Sequence, residues 1–364
     1  MTGVGGNRSP RFGVWALIGG TWASHHHPDD PPIASWERNK RQILEAEALG
    51  YDTTLVAQHT LNPTDDERAS LEAWTASAAL AALTERIEVI TAIKPYLYHP
   101  VVLAKQALQI EEISGGRFGI NLVNGWFKPE VERAGISFAE HDDRYAYGRE
   151  WVTVVESLLR GERTTFHGRF FDVEDYVLRP AAETRARPRI YLGGESDPAR
   201  ALAADVADVW FVNGQPYDDV AALLADVRAR PRPAGAAPLR FGLSAFVIAR
   251  ETRAEAEEAL AYAWELAELD RAAVARMLTQ IDDRAVMFQT HARNPAIGTN
   301  GGTAAGLVGS YDEVAERVQA FHALGIETFM LQFQPFEAEM RRFAEHVIPR
   351  VRHLSAAAPT PVSA

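Results

Sequence analysis

Short apolar runs and longer amphipathic stretches alternate along most of the chain. Strand-length runs fall at Phe12–Ile18, Thr53–Ala57, Ile87–Ile93, Phe118–Val123, Ile190–Gly193, Val209–Asn213, Phe241–Ala249 and Thr328–Phe333. Most are continuous rather than alternating, the pattern of strands buried on both faces. Between them lie helical stretches at Ser35–Leu49, Ser70–Leu83, Val101–Ile113, Asp143–Leu159, Pro198–Asp205, Tyr217–Arg228, Arg253–Leu269 and Tyr311–Leu324, followed by Phe336–Arg350. Gly50, Gly161 and Gly325 sit where helix C-caps belong. Eight such pairs predict an α/β fold, a (β/α)8 barrel formed by residues 11–353 as one domain. An open doubly wound sheet is the other arrangement this pattern permits. It is disfavoured because no G-x-G-x-x-G follows the first strand, so no nicotinamide site of that type is expected.

Two connections are longer than usual. Residues 161–180 (GERTTFHGRFFDVEDYVLRP) alternate aromatics around His167-Gly168 and read as a hairpin. Residues 270–309 contain a helix-like part and then the Gly-rich stretch Asn294–Gly309, expected to be a mobile lid on the active face. Residues 1–10 and 354–364 are small, Gly- or Pro/Ala-rich, and expected to be disordered tails.

With 364 residues, 47% of them hydrophobic, the chain can bury a large core. A net charge of −12 argues against nucleic acid or an anionic membrane as partner. The absence of cysteine removes disulfides, thiolate metal sites and a thiol nucleophile. No apolar run reaches membrane-spanning length and no signal peptide is evident, so a cytoplasmic location is expected. Small and apolar residues on more than one face of Ser70–Leu83 predict a homo-oligomer, dimer or tetramer.

The chemistry is expected at the carboxyl ends of the strands. Strand four ends in Asn124-Gly125-Trp126, and the next helix carries His141, Arg144 and Tyr145 in its first turns. Gly193-Gly194-Glu195-Ser196 joins strand five to a helix start, a loop that can cradle a phosphate or simply make a tight turn and N-cap. Tyr145 and Arg144 are expected to point at the same phosphate. Gln58-His59 and Lys94-Pro95, at the ends of strands two and three, face the same side, and His59 could donate a proton or be a hydrogen-bonded rim residue. The His25-His26-His27 run does not suit a single-ion site, so no metal is expected. Neither G-x-S-x-G nor H-E-x-x-H occurs, leaving hydrolase readings without support.

The residues NLVNGWF, EHDDRY and GGES, in that order, resemble the bacterial-luciferase-like flavin monooxygenases, and the resemblance continues through DVWFVNG, FVIARET and Asn300–Gly309. It points to the branch holding alkanesulfonate and dimethyl sulfone monooxygenases. The resemblance implies a barrel that binds reduced FMN delivered by a separate NAD(P)H-dependent reductase, with O2 adding to the flavin as a C4a-peroxide. It implies phosphate contacts from Tyr145, Gly194, Glu195 and Ser196, flavin contacts from Asn121 and Asn124, and Gln58 with His59 near the ring. The substrate pocket is then expected at Trp15, Trp126, Phe246, Asn300 and Gln334, with His59 as acid or base. Where alkanesulfonate enzymes carry Arg-x-His, Arg and Tyr, this chain has Ser244-Ala245-Phe246, Asn300 and Gln334. A buried sulfonate without paired donors costs several kcal/mol, so a small neutral organosulfur compound is favoured. Dimethyl sulfone, cleaved to methanesulfinate and formaldehyde, is the leading substrate. An alkanesulfonate monooxygenase, a coenzyme F420-dependent oxidoreductase and a flavin-storage protein are the alternatives.

Overall fold

The computed structural model describes residues 9–357 apart from 22 and 184. The chain starts β1 (Arg11–Trp15), α1 (Trp36–Ala48), β2 (Thr53–Val56), α2 (Ala73–Leu83), β3 (Glu88–Ile93), α3 (Pro100–Ser114) and β4 (Phe118–Leu122). It continues α4 (Lys128–Glu132), α5 (His141–Leu159), β5 (Thr164–His167), β6 (Asp172–Tyr176), β7 (Arg189–Gly193), α6 (Asp197–Val206), β8 (Val209–Asn213) and α7 (Tyr217–Ala229). Next come β9 (Arg240–Phe246), β10 (Ile248–Arg250), α8 (Arg253–Leu278), α9 (Val286–Arg293), β11 (Val308–Ser310), α10 (Tyr311–Ala323), β12 (Ile326–Gln332), α11 (Phe336–His346) and α12 (Ile348–Ala357).

Strands β1, β2, β3, β4, β7, β8, β9 and β12 close into a barrel, with every barrel pairing parallel. The eight apolar runs are these strands, each covered outside by helices, so both faces are buried as the continuous runs predict. The 161–180 stretch is the antiparallel hairpin β5–β6. The expected tails fall on residues 1–8 and 358–364, outside the described residues, whereas residues 354–357 continue α12 past the expected boundary.

At the amino ends of the strands, buried Glu88 accepts hydrogen bonds from Arg11 (2.9 Å), Arg189 (2.8 Å) and the Tyr191 hydroxyl (2.8 Å). Burial acts to raise the Glu88 pKa, but the two guanidiniums outweigh it and hold the carboxyl below its ordinary value.

Two segments differ from expectation. Helix α8 has 26 residues and runs on to Leu278, because residues 270–278 contain neither Gly nor Pro to stop it. The Asn294–Gly309 stretch is fastened to the barrel rim. Asn300 O accepts from Gly214 N (2.9 Å), Leu307 O from Ile248 N (3.0 Å) and Gln332 Oε1 from Thr299 N (3.2 Å). Gly301 lies so close to the Gly214 backbone that a Cβ there would overlap it, and its φ of 85° is left-handed. What overhangs the barrel mouth is the C-terminal half of α8 together with α9. No described helix is long and apolar enough to cross a membrane.

Candidate functional site

Two cavities, of about 490 and 160 Å3, open at the carboxyl ends of the strands. Trp15, Asn121, Trp126 and Asn300 line both, so the two form one elongated site. Gln58 and His59 line the larger, while Asn124, Tyr145, Gly194, Glu195 and Ser196 line the smaller. Sequence-expected residues from five strand ends are thus brought together.

The smaller cavity is suited to an anion. Helices α5 and α6 both begin at it, and helix N-termini favour negative charge. Ser196 is the N-cap residue of α6, yet its hydroxyl makes no capping bond and is instead turned to the Tyr145 hydroxyl at the cavity. Gly194 has φ 118°, and a Cβ there would stand 3.3 Å from the Tyr145 hydroxyl, so a side chain would fill the cradle. The Glu195 side chain turns away: its Oε1 accepts from Asn213 N at 2.7 Å. Burial pushes this carboxyl up to about 7, opposed only partly by its hydrogen bonds to Asn213 and Gln215. Any phosphate contact from residue 195 therefore falls to its backbone N–H.

Arg144 departs from expectation. It forms a buried ion pair with Asp282, donates to Ala139 O (2.7 Å) and Asn124 O (3.3 Å), and does not line either cavity. An arginine already surrounded by acceptors is held as a bracket for the 124 loop. The cation at the smaller cavity is instead Arg284, which pairs with Asp142 at 2.9 Å; the buried His141 also lines it, its ring centroid 4.9 Å from that of Tyr145. Arg284 gave no local signal, because it reaches the site from the α8–α9 connection.

In the larger cavity, Lys94 and Glu130 form a buried ion pair, and Lys94 Nζ lies 3.3 Å from His59 Nδ1. Glu130 also accepts from Thr60 N and Oγ1. Burial lowers the Lys94 pKa despite Glu130, and burial with Lys94 beside it holds His59 well below its ordinary value. An ammonium has no acceptor, so His59 Nδ1 takes the lone-pair role and the ring proton sits on Nε2. His59 is therefore a neutral donor through the neutral pH range. Glu130, supplied by the short helix α4, was not legible as its partner.

Phe246 and Gln334 do not line either cavity. Phe246 is buried against Ile248, Ala256 and Ile297 behind the 296–301 loop. Gln334 accepts from Ser24 N (3.0 Å) and donates to Ser24 O (2.6 Å) and Thr21 Oγ1 (3.0 Å), fixing the β1–α1 loop. Both shape the walls from behind. Trp15 also supports Ser244, to which its indole N–H donates at 3.1 Å. His25 and His26 both face Asp270 of α8, at 3.3 and 3.4 Å, and Ser24 Oγ donates to it at 2.7 Å. Among the described residues no group of three or more His, Asp or Glu could hold a metal ion.

Buried polar atoms without partners occur here: Asn121 Oδ1 and both amide atoms of Asn124. Such atoms are costly unless a ligand satisfies them. Their place between the anion cradle and the larger, mostly apolar cavity fits a phosphorylated flavin.

The model of the luciferase-like monooxygenase family matches residues 11–328. An FMNH2-dependent dimethylsulfone monooxygenase of Pseudomonas putida is 33% identical, over 94% of this chain and 96% of that one. Its namesake from Pseudomonas fluorescens is 31% identical over 88% of each. Among solved structures, DmoA from Hyphomicrobium sulfonivorans superposes with a TM-score of 0.79 at 16% identity, covering 97% of this chain and 90% of that one. A long-chain alkane monooxygenase gives 0.78 at 18% identity, covering 95% and 92%. At those identities the structures speak to the fold alone.

Proposed function

From the premise that the chain belongs to the luciferase-like monooxygenase family, we propose that it is a reduced-FMN-dependent monooxygenase of neutral organosulfur compounds, with dimethyl sulfone as a substrate. The observation that carries this reading is the cradle of Gly194, Ser196 and Tyr145 at two helix starts, joined to the unpartnered buried amide atoms of Asn121 and Asn124, which a flavin phosphate and the polar groups beyond it would satisfy. The names of the two Pseudomonas relatives support the same cofactor and substrate. The balanced reaction is dimethyl sulfone, FMNH2 and O2 giving methanesulfinate, a proton, formaldehyde, FMN and water.

The bound flavin supplies the electrons and activates dioxygen. The chain's own residues bind, orient and exclude water. Backbone N–H groups of 194–196, the Ser196 and Tyr145 hydroxyls and the two helix starts hold the phosphate, with Arg284 and His141 nearby. Asn121 and Asn124 face the cofactor's polar edge, with Gln58 and His59 beside the ring. His59 presents its Nε2–H as a neutral hydrogen-bond donor beside the ring, and Lys94 stands behind it. Trp15, Trp126 and Asn300 border the reacting end, and α8–α9 cover it, which strengthens every polar interaction beneath.

The one buried ammonium lining the larger cavity, Lys94, is neutralised by Glu130. A sulfonate would thus enter without a free buried cation, which disfavours the alkanesulfonate alternative. The reduced flavin comes from a separate NAD(P)H-dependent reductase. Leu83, Val102 and Ile113, left exposed on α2 and α3, support self-association. The test couples the enzyme to a flavin reductase and offers dimethyl sulfone or methanesulfonate. Formaldehyde and methanesulfinate are expected from the sulfone alone. Turnover of the sulfonate only, or no product from flavin-loaded protein, would overturn the reading.

A further inference from the structure

The wall of the larger cavity furthest from the polar strand ends is a helix face. Trp264, Ala267, Val274 and Leu278 line it, at the three-and-four spacing of one side of α8, and Phe288 of α9 joins them. Trp264, Val274 and Leu278 are 41%, 37% and 43% exposed although they border a cavity. Contiguous apolar surface left to water marks a binding site. Arg271 and Glu268 share this wall with the apolar residues and pair with each other at 3.0 Å, and Asp270 is held by Ser24 and His25.

A dimethyl sulfone beside the flavin ring would leave this face uncovered. The cavity of about 490 Å3 lies in the range of about 300–1,000 Å3 usual for ligand sites, and on the flavin reading the ring and the substrate share it. We propose that the substrate class is neutral sulfones bearing an alkyl chain of several carbons, with the chain seated on the α8–α9 face and dimethyl sulfone the shortest member. This rests on the flavin reading above. The face is continuous with the reacting end of the site, which makes the substrate's own chain its occupant.

Oxygenation falls on the carbon attached to sulfur. One atom of O2 becomes the oxygen of an aldehyde carrying that carbon, and the other leaves as water with electrons from FMNH2. The carbon–sulfur bond breaks, and the sulfur fragment departs with the bonding pair as an alkanesulfinate and a proton.

The test measures affinity of the FMN-loaded protein for methyl alkyl sulfones from dimethyl to methyl hexyl by quenching of intrinsic fluorescence, with aldehyde yield from the reduced enzyme alongside. Affinity is expected to rise about fourfold per buried methylene over the first few carbons. Val274→Gln and Leu278→Ser, at partly exposed positions, are each expected to weaken methyl butyl sulfone at least about fivefold more than dimethyl sulfone. Affinity that is flat or falls with chain length overturns the proposal while leaving dimethyl sulfone turnover, and hence the flavin reading, intact. Failure of every sulfone with flavin-loaded protein overturns the flavin reading instead. If the substitutions change the molecule's size by light scattering but not the chain-length dependence, the face belongs to a second copy of the chain and the proposal falls.

Discussion

Glu88 and Glu195 are both buried carboxylates on one barrel, and burial pushes both toward protonation. At the amino end, Arg11 and Arg189 reverse that push at Glu88 and leave it ionised. At the carboxyl end no guanidinium bonds Glu195, and its carboxyl is pushed up to about 7. The same division runs through the polar atoms: Glu88 makes a closed network with its neighbours, whereas Asn121 and Asn124 hold atoms without partners. One end is finished by the fold alone, and under the proposed function the other is completed by a ligand. In a parallel barrel this separates stability from chemistry, because loops at the carboxyl end vary freely around a fixed core.

Breaking the finished end is expected to give the largest effect on stability. Glu88→Ala leaves two guanidiniums and a buried phenol without their acceptor. It is expected to cost about 3–5 kcal/mol in denaturant unfolding, with the FMN affinity of the folded protein unchanged. A parallel loss of FMN affinity would show that the two ends are coupled.

The contrast sharpens with pH. Because the Glu195 pKa is raised above its ordinary value of 4.5 to about 7, the native state keeps a proton that the unfolded chain loses. Stability from this group therefore falls as pH rises from about 4.5 through about 7, and the penalty is complete above that. Glu195→Gln removes it, so the variant's thermal midpoint is expected to gain on the wild type as pH goes from about 5 to about 8. Glu88, shifted downward, contributes the opposite way: its stabilisation is lost as pH falls below about 4.5. Midpoints of Glu195→Gln and wild type that run parallel across this range would remove the distinction between the ends.

The sequence revealed the barrel because its strands are buried on both faces and its helices carry their own stop signals. It also brought Gly194, Ser196 and Tyr145 to one cavity, since they stand at loop and helix starts where local geometry decides their direction. Long-range pairing was hidden. Arg144 looks like a phosphate ligand until Asp282, 138 residues away in sequence, captures it. Lys94 and His59 read as rim residues until Glu130 arrives from α4. Phe246 and Gln334 sit at strand ends, yet loops that the sequence does not place cover the first and engage the second. The length of α8 was underestimated because a helix-forming run reads the same within a helix or a connection.

The claim that the Gly194–Ser196 cradle at the carboxyl end holds a phosphate is tested most directly by comparing affinities for FMN and riboflavin, in wild type and in Ser196→Ala. FMN is expected to bind far more tightly than riboflavin. Ser196→Ala should weaken FMN by about 1.5–3 kcal/mol, the worth of a hydrogen bond to a charged group, and leave riboflavin unchanged. Equal affinity for the two flavins, or equal loss for both in the variant, would contradict it.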